Sequence, residues 1–415
     1  MEKEVQKNVS VNVGMPSGKK SLLKNLGPAF ITSALVLGPG SLTLSSKIGA
    51  IHGNQLIWMV IITVLFMMVY TEMSTRIGLA TKLSFIDVVR QKWGKVTAIF
   101  VGVGAFLVTA SFQAGNAVGS GLAASSVVGL STTFWMIVMT LIAVALLFLK
   151  SFYKVLEKLM LGLVLLMLVS FGLTVILAKP SFGDIFAGLI PTVPSGSMPL
   201  IIAMSATSFS VVGAVYQSYL VQEKGWTADY AKHGVRESYL GIFILGFISV
   251  IIMIAAAAVL KPQGLQVNSA AEMGAALEPL YENWATVMFM LGLFGASFSS
   301  LVGNATIGGA MLSDGLNLGR KLETKSVRSL IMLVMVFGTT VGLIFGGSPI
   351  NMIIFAQAIT IIVVPFIAIA ILLIANNKEI MGALKNTLWK NIVGVAGLLV
   401  LILLAINNIK NIFFS

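Results

Sequence analysis

The 415-residue chain contains no cysteine, which excludes a disulfide framework and any thiolate metal site. Charge is nearly as scarce. Asp, Glu, Lys and Arg together make up 10% of the residues, whereas a soluble domain carries roughly 25%. Histidine occurs twice, at His52 and His233, and both fall between apolar runs. Glu72 is the only acid well inside such a run. A Ser with a neighbouring His, a pair of acids or a metal-binding His-Glu helix is therefore missing, so an enzyme is not expected and no cofactor is implied. A repeated filter of the kind channels use is not visible either.

Apolar side chain is what the sequence has instead. Hydrophobic residues make up 57%, and the mean hydropathy is +0.97. A water-soluble fold cannot hide this much, but a lipid bilayer can. The apolar runs cover 22–50, 55–79, 96–122, 132–149, 155–178, 198–222, 238–260, 284–312, 328–346, 350–375 and 391–411. These eleven runs predict an all-α integral membrane protein of about eleven transmembrane helices. Residues 1–21 are polar, with Gly14, Pro16, Ser17 and Gly18 near their end, and read as a flexible cytoplasmic tail.

The formal charge of +12 would point to nucleic acid in a soluble protein. Here the basic residues occupy short connections, so the charge reports topology and no nucleic-acid partner is expected. With the N-terminus inside, the inner side collects the basic residues of the tail together with groups such as Arg76 to Lys95, Lys150 to Lys158, Lys224 to Arg236, Arg320 to Arg328 and Lys378 to Lys390. Only Lys47, Lys179, Lys261 and Lys410 of the 27 Lys and Arg fall elsewhere. The bias fixes the register of alternation, because one missed helix would scramble it. It predicts a multi-pass protein of the plasma (inner) membrane with its C-terminus outside.

Two runs contain breaks. Gly38-Pro39-Gly40 lies in the middle of the first, where proline removes a donor and glycine resists the helix. A weaker break, around Gly213, lies in Ser208-Phe209-Ser210-Val211-Val212-Gly213-Ala214 of the sixth. The two runs are five apart, an odd number, so two such halves face opposite ways across the membrane. That is the pattern of an inverted repeat whose discontinuous helices build a midplane site. The halves are predicted at 22–178 and 198–375, with an additional segment over 388–411.

Several stretches carry a family resemblance. Leu26-Gly27-Pro28-Ala29-Phe30 and Ile48-Gly49-Ala50 bracket the first run. Thr75-Arg76-Ile77-Gly78-Leu79-Ala80-Thr81 follows the second. Ala296-Ser297-Phe298-Ser299-Ser300-Leu301-Val302-Gly303 lies in the eighth, and Gln357 with Val364-Pro365-Phe366 in the tenth. In order and spacing the chain resembles the NRAMP transporters, which carry divalent metals with protons through a five-plus-five inverted repeat of the LeuT type. The resemblance implies a symporter with broken helices one and six. It also brings departures into view. The family's Asp-Pro-Gly-Asn reads Gly38-Pro39-Gly40-Ser41 here, the Met-Pro-His-Asn of helix six has no counterpart over 211–215, and a helix-three Glu aligns with Asn116.

The substrate site is accordingly predicted from Gly38, Pro39, Gly40 and Ser41 on the first run and Ser208, Val211, Val212, Gly213 and Gln217 on the sixth, completed by Asn116 and Gln357. Thr43, Ser45, Ser210, Gln113 and Asn304 are further neutral oxygens within reach. A dehydrated transition metal wants carboxylate, imidazole or thioether ligands, which this set lacks. A hydrated ion such as Mg²⁺ suits it, and so does a small anion or neutral polar solute drawn to helix N-termini. Lys47 either snorkels to the outer interface or lines an outer vestibule. Glu72 either pairs locally with Arg76 or couples an ion to transport. Gln113 and Asn116 read equally as helix-packing hydrogen bonders. The partners expected are the lipid bilayer and a small ion or polar solute.

Overall fold

Within lipid a backbone must satisfy its own hydrogen bonds, so an apolar run that crosses can only be helical or part of a closed barrel. The computed structural model describes residues 28–149, 151–265, 270–345 and 349–413, and all eleven runs are helical within them. The predicted tail over 1–21 lies outside the described residues.

The first span is two helices, α1 (Pro28–Val36) and α2 (Pro39–His52). Spans two to five are α3 (Ile57–Ala80), α4 (Phe85–Val128), α5 (Thr132–Leu147) and α6 (Phe152–Ala178). The sixth is again double, α7 (Met198–Ser208) and α8 (Val211–Glu223). Spans seven to eleven are α9 (Ala231–Val259), α10 (Ala270–Gly315), α11 (Lys325–Phe345), α12 (Pro349–Ala375) and α13 (Leu388–Phe413).

Eight helical spans of the described residues are long and apolar enough to cross a bilayer, and two bent pairs raise that to ten. The eleventh is α5, whose 16 residues reach about 24 Å, short of the roughly 30 Å hydrocarbon layer. Span three begins with a corner. Gly94 holds φ 88° and ψ 171°, a backbone open to glycine but strained for other residues, and the chain turns there from an interfacial turn into the membrane helix.

The two longest helices, α4 and α10, run against each other and form the spine. Helix α1 rests on α6, α9 and α10, while α8 rests on α3. Lipid offers no hydrophobic push between helices, so close approach and internal hydrogen bonds hold the bundle. Gly303 on α10 shows the close approach: a Cβ there would sit 1.7 Å from Leu35 Cδ2. The adjacent serines supply the hydrogen bonds. A helix that stops in mid-membrane leaves its last carbonyls without partners. Ser299 Oγ donates to the Ala34 carbonyl at 2.8 Å and Ser300 Oγ to that of Leu35 at 3.0 Å, closing the end of α1.

The helices also run further than the apolar signal. His233 lies inside α9, and His52 is the last residue of α2, so neither is a loop residue. The same extension brings two more buried acids into the bundle, Glu237 on α9 and Asp314 on α10, beside Glu72 on α3. A charged group at a helix end is invisible to a hydropathy window but is enclosed all the same when neighbouring helices extend with it.

Candidate functional site

The two interruptions differ in chemistry. In span one the axis bends by 59° between α1 and α2. Pro39 takes the first position of α2, where its missing N–H costs nothing. Gly38 is extended, at φ −103° and ψ −179°, so its value lies in size: a Cβ would stand 2.9 Å from Ser300 Oγ and 3.3 Å from Asn116 Oδ1. In span six the break falls on Phe209 and Ser210, ahead of Gly213. A hydroxyl there does what proline and glycine do in span one. Ser210 Oγ accepts from the Gly213 N–H at 3.3 Å and caps α8. Gly213 lies inside the first turn, and its missing side chain leaves room for Val36, whose Cγ2 would be 2.8 Å from a Cβ.

Between the breaks lies a cavity of about 30 Å³, measured as space open to the centres of water molecules. That is room for roughly two waters. From the breaks it receives Gly38, Gly40, Ser41, Ser210, Val212 and Gly213. Helix α4 adds Thr109 and Asn116, and α10 adds Asn304. Thr207 of α7 and Thr360 of α12 complete the polar wall, with Val108, Ile307 and Val364 among its apolar members. No charged side chain lines it, and no cluster of three or more His, Asp or Glu occurs among the described residues.

The polar groups are of two kinds. Helix α2 starts at Pro39, so the N–H groups of Gly40 and Ser41 face the cavity end without intrahelical partners, and α8 contributes that of Val212. The last turn of α7 brings the Ala206 and Thr207 end, where carbonyls carry the opposite partial charge. Asn116 is held in place from behind: its Nδ2 donates to Gln113 Oε1 at 2.7 Å, and Gln113 Nε2 donates to the Leu301 carbonyl at 2.8 Å.

Six of the predicted residues meet here: Gly38, Gly40, Ser41, Asn116, Val212 and Gly213. Pro39 turns away and packs against the position of Gly119 on α4. Ser208 and Val211 are buried beside the cavity without lining it. Gln217 is further along α8, where its Oε1 accepts from Thr32 Oγ1 at 2.6 Å and joins α8 to α1. The Gln357 side chain lies outside the described residues. Lys47 stands half-buried in the second half of α2, away from the cavity.

Glu72 is likewise elsewhere. Its carboxylate is fully buried and accepts from Arg76 Nε at 2.7 Å, from Arg76 Nη2 at 2.8 Å and from Lys390 Nζ at 2.6 Å. Arg76 continues to Asn386 Oδ1 at 2.5 Å and to the Leu384 carbonyl. This cluster ties α13 to α3. Thr109, Thr207 and Thr360 were not legible as site residues, because a threonine in a long apolar helix ordinarily returns its hydroxyl to its own backbone.

Two broken spans, five apart, closing on one cavity are the geometry of a carrier. The sequence matches the family described as Natural resistance-associated macrophage protein-like (Nramp) over residues 29–410. The chain belongs to this family. A Klebsiella pneumoniae relative named divalent metal cation transporter MntH is 25% identical over 391 residues, 92% of this chain and 93% of the relative. Among solved structures, a mutant of the Eremococcus coleocola manganese transporter superposes with a TM-score of 0.81 at 18% identity, covering 97% of this chain and 91% of that one. Mhp1, a nucleobase-cation-symport-1 family transporter, gives 0.64 at 13% identity over 93% of this chain and 92% of its own. These likenesses show the fold: the Nramp chain is an integral membrane protein of the LeuT type, with broken helices one and six.

Proposed function

We propose that this Nramp-family protein is a secondary transporter that works by alternating access, with spans one and six moving against a scaffold of spans three, four, eight and nine. The two repeats are 22–178 and 198–375, and 388–411 is an addition to them. The N-terminus faces the cytoplasm of a plasma (inner) membrane and the C-terminus lies outside, a reading that the distribution of basic residues supports.

The substrate is a small cation that keeps part of its water. The observation that carries this reading is a cavity built by both breaks and lined by hydroxyls, amides and backbone without a charged side chain. Relatives named divalent metal cation transporters make a divalent ion the first choice. Gly38 and Ser41 stand where the resemblance places an Asp and an Asn, and 211–215 contains no Met or His. A bare Mn²⁺ or Fe²⁺ therefore lacks its ligands, whereas Mg²⁺ sheds its inner waters reluctantly and is served by neutral oxygens around them. The cavity admits about two waters, so such an ion enters only as the half-helices part, which is the motion the cycle supplies.

A second reading rests on the N–H groups of Gly40, Ser41 and Val212. Two half-helix N-termini favour an anion or a neutral polar solute. Uptake into proteoliposomes decides between them, with Mn²⁺, Mg²⁺ and small anions compared at equal concentration. Mg²⁺ flux exceeding Mn²⁺ flux is the expected result. Strong Mn²⁺ uptake blocked by micromolar Cd²⁺ defeats the hydrated-ion reading. Saturable anion uptake with neither metal moving establishes the second.

A further inference from the structure

Below the cavity, a side-chain hydrogen bond joins two of its wall helices. Tyr219 lies seven residues after Val212 on α8, and Asp314 lies seven after Ile307 on α10. Each is about 10 Å further along its helix, in the same direction. The Tyr219 hydroxyl donates to Asp314 Oδ2 at 2.6 Å. Both side chains are buried, and Tyr216 stacks on Tyr219 with ring centroids 5.8 Å apart.

The acceptor side is braced. Arg90 of α4 donates to the Asp314 carbonyl, lies 4.0 Å from its carboxylate and also donates to Asp87. The donor side is braced as well. Gln222 Nε2, one turn beyond Tyr219, points at the carbonyls of Gly78, Thr81 and Leu83 at 2.9 to 3.1 Å and pins the end of α8 to the turn between α3 and α4. On the far side of Tyr219 a second space opens, about 290 Å³, bounded by Tyr219, Gln222, Glu223, Arg320, Lys321 and Glu323. Charged groups line this space and neutral ones line the cavity above, so the contact marks the boundary between a charged compartment and a neutral one.

We infer that the Tyr219–Asp314 hydrogen bond is the inner gate of the transport route, joining the moving half-helix α8 to the spine helix α10 and separating the neutral cavity from a charged inner vestibule. This rests on the transport reading above. A charge-assisted hydrogen bond inside the bundle is strong when made. Its donor rides on a half-helix that the break at Phe209 and Ser210 separates from α7, so α8 can pivot about the Gln222 anchor and break the contact without unwinding. Residues Tyr219 and Asp314 act as positioning residues that set the inward-closed population and need not touch the substrate.

The test uses the full chain, whose lack of cysteine lets one introduced thiol report alone. Asn304→Cys puts that thiol on the cavity wall, ten residues before Asp314. Modification by a membrane-impermeant, positively charged thiosulfonate is timed from each face of oriented vesicles, with and without Tyr219→Phe, which deletes one oxygen and keeps the ring. Labelling from the face nearer Asp314 should quicken about tenfold, while labelling from the opposite face does not rise. Unchanged rates overturn the gate, and so does an equal rise from both faces, which reports general loosening. If Tyr219→Phe does not yield monodisperse protein, Asp314→Asn is judged by the same criteria. Failure of both to fold assigns the pair a structural role and overturns the gate too. A thiol at 304 that reacts from neither face in any background overturns the transport route itself, a failure distinct from that of the gate alone.

Discussion

Gly38 concentrates the chemistry of the site in one missing atom. A side chain there would enter the space between Ser300 Oγ and Asn116 Oδ1, at 2.9 and 3.3 Å from its Cβ. Ser300 cannot simply rotate away, since its hydroxyl closes the Leu35 carbonyl. Gly38→Asp is expected to cost about 1–3 kcal/mol of stability through overpacking. It is also expected to bind Mn²⁺ at least tenfold more tightly, because it adds the anionic ligand the cavity lacks. Gly38→Asn has the same bulk without the charge, so it should share the loss of Tm and gain no affinity. Calorimetric titration with Mn²⁺ reads the difference. Equal affinity in the wild type and the Asp variant would mean that Gly38 does not face the substrate. The residues legible in the sequence were those at which the backbone itself misbehaves, Gly38 to Ser41 and the stretch near Gly213, together with the amides Asn116 and Asn304, which stand out in apolar helices. Thr109, Thr207 and Thr360 were not, because helices apolar on every face give no sign of which side meets a cavity.

At the scale of elements, the question is what holds a half-helix still. Helix α1 ends inside the bundle, and its last turn is held from one side by α10, through two serine hydroxyls and the bare backbone of Gly303. Gly303→Ala drives a methyl into Leu35, at 1.7 Å from Cδ2, and is expected to lower stability by about 1–3 kcal/mol and to slow transport. Leu35→Ala opens a void and is also destabilising. The double variant should lose less than the sum of the two, because each change relieves the other, and a thermal-unfolding cycle measures that coupling. Strict additivity would place the two side chains out of contact. That the eleven apolar runs are helical could be read from hydropathy alone, since the bilayer sets the length of an apolar helix. Helix ends could not. Asp314 and Glu237 fall beyond the apolar windows yet inside the packed bundle, and with them the inner latch went unseen. The second break falls within the stretch from Ser208 to Ala214 but at Phe209 and Ser210, three to four residues ahead of its glycine, for a related reason. Glycine attracts notice, whereas the capping serine that ends the interruption, Ser210, looks like any polar residue in a membrane helix.

Over the whole molecule, an odd number of spans and a five-plus-five repeat make one geometric demand: the two interrupted helices must run in opposite directions, and every connection must alternate sides. Lys179, after α6, and Lys385, between α12 and α13, are separated by five spans and their turns, the first following the fifth span and the second the tenth. They therefore belong on opposite faces. In the orientation proposed from the basic residues, Lys179 is expected outside and Lys385 inside. The Glu72 cluster argues for the same side at the second position, since Lys390 reaches the end of α3 that carries Arg76 and the turn to α4. In this cysteine-free chain, Lys179→Cys and Lys385→Cys can each be probed alone in intact cells with an impermeant maleimide. The first is expected to label without lysis and the second only after it. Labelling of both from outside would require an unpaired crossing between spans six and ten. It would break the inverted symmetry on which a site between two opposed half-helices depends, and the cavity at Gly38 and Val212 would then owe its form to some arrangement other than a repeat.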